Sequence, residues 1–444
     1  MVMSTCRKMA LTGLLVYTGS LEGCLSGVLG PTLPQLQCLF STNLQTISAI
    51  FLVVGIMNAV GAVIGSVLLA HVELHLLIAT ATTIAIVSHC AFPFVHNVYT
   101  AMVISSITAF CLGVLCNSRI FGADKIWPNQ PFAVHLVIVG FGLGSIIASV
   151  VSEPFLEELP HNITTDPEGN QGCRHQAVRV QYLYLLLASC GVPVSVGMFV
   201  LYMYARQTDP LYSTLFEARS TGANSRRGYN LFLVFFFLLC MPAGGVFITY
   251  GDLLTTFGVN SNLHIRQRYM ALITALFWGA FVTGRIVMTI ASIFIRQIWI
   301  IIVCSIGLFS ASISLVFFAN ESQWSLAILS AVFGFFCAPS SAACFSLARE
   351  RIQLTGFVIA VGIVGENVGA ILGPYVGGLL MGTYSSDAFL YVVLSIVTIL
   401  FILFCCIYTI GRYFLESNSC EGAHLLQATS SQSEHEATDN SDTF

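Results

Sequence analysis

The chain has 444 residues, of which 56% are hydrophobic and only 9% are charged, and its formal net charge at pH 7 is -4. This composition is far more apolar than that of a soluble globular protein and predicts an integral membrane protein. The small net charge and the absence of a basic stripe exclude nucleic acid as a partner.

The cysteines lie mostly as single residues in apolar runs, where they resemble small buried hydrophobes. No Cys-x-x-Cys pair or Cys/His spacing typical of a metal site is present in the sequence, so we predict no metal site and no cofactor. Cys38 and Cys173 fall in loops that we place outside the membrane, and a disulfide between them is one interpretation of these two residues.

Apolar runs of about 20 residues, long enough to cross a bilayer, recur along the chain. They predict twelve transmembrane helices, at residues 10–32, 46–70, 76–94, 99–120, 132–152, 181–204, 231–257, 270–294, 298–319, 324–347, 355–381 and 387–410. We therefore expect an N-terminal six-helix bundle (1–205), a cytoplasmic linker (206–229), a C-terminal six-helix bundle (230–411) and a disordered cytoplasmic tail (412–444). The tail contains Glu421 before Leu425 and Leu426, which is typical of an acidic dileucine sorting signal.

The distribution of loop cations places both termini in the cytoplasm, because Lys and Arg favour the inner side. We assign to the inside Arg7, Lys8, Arg119, Lys125, Arg206, Arg219, Arg226, Arg227, Arg296, Arg349, Arg351 and Arg412, against Arg174, Arg179, Arg266 and Arg268 outside. The glycosylation acceptor patterns at Asn162 and Asn320 both fall in loops that this topology places outside. At Asn320 an unmodified loop asparagine is an equal alternative.

Glycines repeat between the halves of the chain. Gly140 and Gly365 are 225 residues apart, as are Gly144 and Gly369, and Gly55 lies 224 residues before Gly279. Two parallel halves with such a repeat indicate a transporter of the major facilitator kind, with two pseudo-symmetric six-helix bundles.

Few ionisable residues interrupt the apolar runs, and each is a candidate functional residue because a buried charge in a membrane is costly. Arg285 needs a carboxylate or a hydrated cavity, and the acidic residues within apolar runs are Glu22, Asp252 and Glu366. Glu22 is expected to stand alone in its half as a site for a cation or proton. For Arg285 with Glu366, an ion pair that only fixes helix packing is the competing interpretation.

Polar and aromatic residues near these charges complete the candidate cavity. The amides of Asn58 and Asn367 suit a hydroxyl-rich solute, and Trp278 offers a flat face for a sugar ring. His135 is a candidate proton relay, and Tyr250 precedes Asp252 in a glycine-rich stretch. Helix packing is the alternative role for each of these residues.

Several motifs together resemble the sodium-dependent glucose transporter 1 group of the major facilitator superfamily over nearly the whole chain. The segments that carry the resemblance are Leu29-Gly30-Pro31-Thr32-Leu33, Leu36-Gln37-Cys38, Trp127, Ala133-Val134-His135, Thr249-Tyr250, Phe277-Trp278-Gly279, Thr283-Gly284-Arg285 and Gly365-Glu366. The resemblance implies twelve helices, alternating access and a hexose cargo driven by sodium. Cys116-Asn117-Ser118-Arg119 departs from the group's pattern, as does the lack of an acidic residue near Cys240, while Glu22 and Asp252 are additions.

We therefore predict a secondary active transporter of a small polar solute, a hexose such as glucose, with Na+ or H+ as the coupling ion. A proton-coupled carrier of another small solute and a non-transporting receptor or scaffold are the alternatives. No second membrane aspartate pairs with Asp252, so an intramembrane aspartyl protease, or any other enzyme, is not expected. We expect a monomer in a lipid bilayer, in the plasma membrane or alternatively in an endosomal or lysosomal membrane.

Overall fold

The computed structural model describes residues 5–127, 131–156, 169–208, 227–295, 297–349 and 356–406. These residues are almost entirely helical, with two short 3-10 turns at Phe92–Phe94 and Glu153–Phe155. In chain order the helices are α1 (Thr5–Gly27), α2 (Leu29–Leu39), α3 (Leu44–Leu68), α4 (Leu74–Ala91), α5 (Val98–Ile126), α6 (Pro131–Ser152), α7 (Gly169–Ser189), α8 (Val192–Thr208), α9 (Arg227–Asn260), α10 (Gln267–Phe294), α11 (Gln297–Phe318), α12 (Gln323–Cys337), α13 (Ser340–Arg349), α14 (Gly356–Thr383) and α15 (Ala388–Cys406).

Within the described residues, ten helical stretches are long and apolar enough to cross a membrane. They correspond to ten of the twelve predicted spans, and the other two spans are represented by α1 with α2 and by α12 with α13. The tail and most of the predicted linker lie outside the described residues. We use the predicted orientation to name the inner and outer ends of each helix.

Three predicted helices each form two shorter ones, and a proline explains each break. A proline lacks the backbone N–H that would bond the carbonyl four residues earlier. Pro31 therefore cannot bond Gly27, where α1 ends, and Pro193 cannot bond Ser189, where α7 ends. Pro339, between α12 and α13, likewise cannot bond Phe335 in the last turn of α12.

Helix α5 continues to Ile126, six residues beyond the predicted end at residue 120. Arg119, which lay at the predicted inner end, is therefore two turns inside this helix, and only 3% of it is exposed. The assignment of Arg119 to the cytoplasmic loop cations was wrong. No proline follows Arg119 before Pro128, so the backbone has no strong reason to leave the helix earlier.

The glycine pairs Gly140/Gly365 and Gly144/Gly369 make equivalent helix contacts in the two halves, whereas Gly55 touches Ile371 and Gly279 meets no neighbouring atom within 4 Å. A Cβ atom on Gly144 of α6 would collide with the Ser20 carbonyl of α1, and one on Gly369 of α14 would collide with the Met241 carbonyl of α9. Ser20 and Met241 are 221 residues apart, so the register of α1 against α6 recurs in α9 against α14. The glycines allow the close backbone approach that membrane helix pairs use.

The two halves meet where α3 packs on α14, α6 on α10 and α2 on α9. At the last contact, Gly30 is so close to α9 that a Cβ atom would lie 2.9 Å from the Asp252 Cα atom and 3.0 Å from the Gly251 carbonyl oxygen. Gly30 and Gly251 are themselves 221 residues apart. The first predicted span of each half (residues 10–32 and 231–257) thus crosses the other at an equivalent glycine.

The described hydrogen bonds that join side chains across the two halves all lie towards the outer ends. Gln35 and Gln267 bond each other through their side-chain amides, with one bond of 2.6 Å, and Gln267 also donates to the Pro31 carbonyl at 2.8 Å. Gln45 donates to Thr383 at 2.9 Å, and Arg268 donates to the Leu156 carbonyl at 2.8 Å. We call this set of bonds the outer seam. All of them are formed, so the two halves are closed against each other at their outer ends.

Cys38, near the outer end of α2, is disulfide-bonded. Its predicted partner Cys173 has a side chain outside the described part of the chain, although the backbone of α7, which carries it, packs against α2. A disulfide is expected on the side of a membrane that faces an oxidising compartment, which agrees with the predicted orientation.

We expect non-reducing digestion followed by mass spectrometry to yield a peptide pair containing Cys38 and Cys173, because α2 and α7 are neighbours. Cys38→Ser should free the second cysteine for alkylation. Recovery of Cys38 in a pair with any other cysteine would contradict the prediction.

Candidate transport site between the two halves

Glu22 of α1 forms a buried ion pair with Arg119 of α5. The Arg119 Nε atom donates to Glu22 Oε2 at 2.7 Å, and Arg119 and Glu22 are 3% and 5% exposed. Arg119 Nη1 also donates to the Val137 carbonyl at 3.0 Å, which fixes the guanidinium between α1, α5 and α6. The expectation that Glu22 stands alone in its half was wrong, because Arg119, which was assigned to the cytoplasmic cations, is its buried partner.

Arg285 of α10 is only 5% exposed, yet it makes no comparable pair with any described residue. Among the described residues no carboxylate oxygen lies within 4.0 Å of it, and its Nε atom has no hydrogen-bond acceptor. Its guanidinium carbon lies 5.9 Å from the centre of the Phe281 ring, in cation–π contact. Arg285 is therefore a buried cation in contact with an aromatic face, and its Nε–H remains available as a hydrogen-bond donor.

Glu366 of α14 accepts a hydrogen bond of 2.5 Å from the Ser341 hydroxyl of α13. It lies close enough to Arg285 for their charges to interact, but the two groups do not form a direct ion pair. The sequence suggested Arg285 and Glu366 as partners, and the structure brings them into the same region without joining them.

These four charges form one electrostatic group across the junction of the halves. Arg119 and Arg285 belong to opposite halves and lie close enough for their like charges to repel each other. In a low-dielectric interior such interactions act over several ångströms. A change in the charge or position of one of these groups therefore alters the electrostatic energy of the groups in the other half.

Asn58 and Asn367 supply polar groups at the same junction. Gly55 of α3 touches Ile371 of α14, and the asparagines follow one helical turn further inward on each helix. Both side chains are partly buried, and neither makes a hydrogen bond within the described residues. Two amides that bond no described group thus lie on the two helices that meet at the Gly55–Ile371 contact.

Trp278 is only 2% exposed and bridges the halves within an aromatic cluster. Its ring centre lies 5.9 Å from that of Phe141 on α6 and 6.4 Å from that of Phe247 on α9, in edge-on contacts. Gly251 packs directly on the indole. In this closed arrangement Trp278 packs against aromatic rings instead of presenting an open face.

Tyr250 and Asp252 point to different surroundings although they are two residues apart. Tyr250 is fully buried in the core of the second half, where its hydroxyl bonds Ser330 at 2.8 Å and its ring stacks on Phe333 at 4.4 Å. This is a packing position and not one that faces the junction. Asp252 is partly buried beside Gly30 of the other half.

Three other predicted positions can be placed only in part. His135 lies near the start of α6, but its side chain is outside the described part of the structure, and so is Asn162. The Asn320 amide donates to Asp387 at 2.7 Å, so its Nδ2 atom already joins two outer loops. Glycosylation would replace one of the two Nδ2 hydrogens, which leaves a single N–H for the bond to Asp387.

Sequence reasoning missed Arg119 and Ser341. Arg119 was treated as a loop cation because it follows a long apolar run, yet the helix-compatible residues up to Ile126 were a signal that the helix continues. Ser341 carried no signal, since a serine in a membrane helix normally bonds its own backbone.

No family model matches the chain. The chain is similar to the protein named sodium-dependent glucose transporter 1 of Xenopus laevis, with 23% identity over 394 residues that cover 86% of this chain and 79% of the relative. The Homo sapiens protein of that name is 24% identical over 80% of this chain and 71% of the relative. Major facilitator superfamily domain-containing protein 4A of Xenopus tropicalis is 20% identical over 82% of this chain and 84% of the relative.

Among solved structures, the inward-open xylose transporter XylE from E. coli matches with a TM-score of 0.65 and 11% identity, over 89% of this chain and 95% of that one. The nucleoside transporter NupG matches with a TM-score of 0.61 and 12% identity, over 90% of this chain and 98% of that one. The chain therefore has the major facilitator fold that was predicted. It is a multi-pass membrane protein with the fold of the transporters that it matches.

Proposed function

We propose that this protein is a secondary active transporter that carries a hexose such as glucose by alternating access, with movement of a coupling cation. The names of the relatives and the fold support transport of a small polar solute. The observation that carries the proposal is the group of charges and uncommitted amides at the junction of the halves: Glu22 with Arg119 on one side, and Arg285 with Glu366 on the other.

The uncommitted groups match the chemistry of a neutral sugar. A hexose presents several hydroxyls, each of which donates one hydrogen bond and accepts others. The amides of Asn58 and Asn367 and the free Nε donor of Arg285 supply both kinds of partner. A buried site built to bond hydroxyls rejects solutes that lack them, because its own groups would stay unpaired.

The Glu22–Arg119 pair in the first half is the proposed site at which the coupling cation acts. Neutralising Glu22 by a proton, or screening it by Na+, would remove the partner of a fully buried Arg119. Arg119 would then favour an arrangement in which its guanidinium bonds other acceptors. Because Arg119 and Arg285 repel each other, movement of Arg119 would also change the energy of Arg285 in the second half. The proposed residence is the plasma membrane, and the proposed functional unit is the monomer.

Uptake of labelled glucose into proteoliposomes tests the function. We expect accumulation when an inward Na+ gradient or an inward proton gradient is imposed, and equilibration without accumulation when neither is present. Glu22→Gln should abolish accumulation while leaving exchange of internal for external glucose. Absence of both uptake and exchange in the parent protein would remove the glucose assignment, and a screen of other hydroxyl-rich solutes would follow.

Replacing Asn58 with leucine is expected to raise the KM for the solute about 2–10-fold, since one hydrogen bond to a neutral group contributes about 0.5–1.5 kcal/mol. Thermal unfolding should change little, because the amide bonds no described protein group. Asn58→Gln, which keeps an amide, is the matched control. Equal KM values for Asn58→Leu and the parent would exclude Asn58 from the site.

A further inference from the structure

Arg285 is a buried cation whose hydrogen-bonding capacity is unused. Its side chain is 5% exposed, and among the described residues it neither forms an ion pair nor donates a hydrogen bond. Its Nε atom is enclosed without an acceptor, whereas its two Nη atoms are not among the enclosed atoms that lack a partner. Since the Nη atoms have no described partner either, the tip of the guanidinium is open to a solute or to water. Several N–H groups of a poorly hydrated cation therefore remain to be satisfied.

Arg285 faces the junction of the two halves and not the lipid. Trp278 and Val282, seven and three residues earlier, contact Phe141 and Gly142 of α6. Positions three, four or seven residues apart share one face of a helix, so Arg285 lies on this face, one turn further inward. The exposed stripe of α10 lies on the opposite face and consists of Leu272, Leu276, Thr283, Val287 and Ile290.

The aromatic neighbour of Arg285 leaves its donors free. The guanidinium carbon lies 5.9 Å from the centre of the Phe281 ring, and that ring packs in turn on Phe247 at 5.3 Å. A cation–π contact uses the positive charge but supplies no oxygen acceptor. The N–H groups lie in one plane as a fork, and this fork matches the two oxygens of a carboxylate.

Neither carboxylate of the candidate transport site supplies these oxygens. Glu22 bonds Arg119 at 2.7 Å, and Glu366 accepts the hydrogen bond of the Ser341 hydroxyl. Glu366 therefore attracts Arg285 only through space, while the guanidinium of Arg119 repels it. A further anion bound at Arg285 would pair with its donors and offset this repulsion.

A carboxylate satisfies such a cation better than a neutral group does. A sugar hydroxyl or a water molecule accepts a hydrogen bond but adds no counter-charge. A carboxylate accepts two parallel bonds and carries a negative charge, and bonds between charged groups are stronger than those between neutral ones. Because the proposed function includes a coupling cation, one cation and one carboxylate would leave the net charge of the loaded site unchanged.

We propose that Arg285 binds the carboxylate of a sugar acid, so that the carried solutes include hexuronates, which are hexose derivatives with a carboxylate at one end. The amides of Asn58 and Asn367 remain for the hydroxyls. The inference rests on the proposed function, because it names the class of solute for the same site.

Binding of three sugars to the purified protein in detergent micelles separates charge from shape. D-glucuronamide has the shape of D-glucuronate, with a neutral amide in place of the carboxylate, and D-glucose is the neutral hexose. At about pH 7 the carboxylate of D-glucuronate is ionised. Isothermal titration calorimetry should then give a Kd for D-glucuronate at least about tenfold below the Kd values for D-glucuronamide and D-glucose. Acetate and chloride, which lack hydroxyls, should bind more weakly than D-glucuronate.

Substitutions assign the preference to Arg285. Arg285→Gln should bring the Kd values for D-glucuronate and D-glucuronamide together. Arg285→Lys keeps the charge without the planar fork, so it should retain only part of the preference, and it replaces Arg285→Gln if that variant is not monodisperse. Lys125→Gln, which removes a cation near the inner end of α5, is the matched control and should leave all three Kd values unchanged.

Equal Kd values for D-glucuronate and D-glucuronamide in the parent protein, or an undiminished preference in the Arg285 variants, would overturn the proposal. Binding of acetate or chloride as tight as that of D-glucuronate would also overturn it, because Arg285 would then serve a free anion and not the solute. Accumulation of glucose without a preference for D-glucuronate would remove this inference and leave the proposed function. A preference for D-glucuronate without uptake of glucose would remove the glucose assignment and leave the carboxylate site.

Discussion

Replacing Arg119 with alanine is expected to lower the free energy of unfolding by about 3–5 kcal/mol, because it leaves the Glu22 carboxylate buried without a partner. The 2.7 Å bond and the near-complete burial of both residues make this the most demanding ion pair among the described residues. Denaturation in mixed micelles, followed by helical circular dichroism, measures the change.

The matched test removes both charges. Glu22→Gln combined with Arg119→Gln should recover most of the loss, since no uncompensated charge remains, and the double-mutant cycle should give a coupling energy of about 2 kcal/mol or more. Lys125→Ala, on the same helix but with only a cation–π contact to Phe121, should stay within about 0.5 kcal/mol of the parent. Additive losses for Glu22→Gln and Arg119→Gln would show that the pair is not coupled.

The second large effect is expected at the repeated glycines. Gly144→Ala and Gly369→Ala should each destabilise the fold by about 3 kcal/mol, at the upper end of the range for overpacking, because the added methyl group collides with a backbone carbonyl of the partner helix. Backbone atoms cannot rotate away as side chains do. The folded yield by size-exclusion chromatography and the unfolding midpoint measure the loss.

Gly279→Ala is the control for this experiment. A Cβ atom at Gly279 meets nothing within 4 Å, so the change should be neutral or stabilise by up to about 1 kcal/mol through helix propensity. Because Gly144 and Gly369 occupy equivalent contacts, their effects should be similar. A large loss at one position with none at the other would contradict the equivalence of the two helix pairs.

The positions of the spans were predictable from the sequence because hydropathy depends only on local composition. The glycine repeat likewise predicted the equivalent helix pairs, since close contacts leave their mark as small residues at fixed spacing. Helix ends were less predictable. Arg119 shows why: a cation after an apolar run reads as a loop residue, and only the position of Glu22 on a distant part of the chain makes its burial tolerable.

The arrangement of the site depended on contacts that the sequence does not display. Arg285 and Glu366 were chosen as partners from a short list of membrane charges, but Ser341 bonds the carboxylate and Phe281 faces the guanidinium. Tyr250 and Asp252 are neighbours in sequence, yet the turn of the helix sends one into the core and the other to the junction. Such choices are made by tertiary packing.

All but one of the hydrogen bonds in the outer seam join neutral groups. Its bonds run between amides, a hydroxyl and carbonyl oxygens, with Arg268 as the single charged donor and no carboxylate as acceptor among the described bonds. Each neutral bond contributes about 0.5–1.5 kcal/mol and is exchanged for a bond to water when the outer seam opens. Because nearly all of these bonds join neutral groups, the ionic strength of the surrounding fluid should have little influence on how often the outer seam opens.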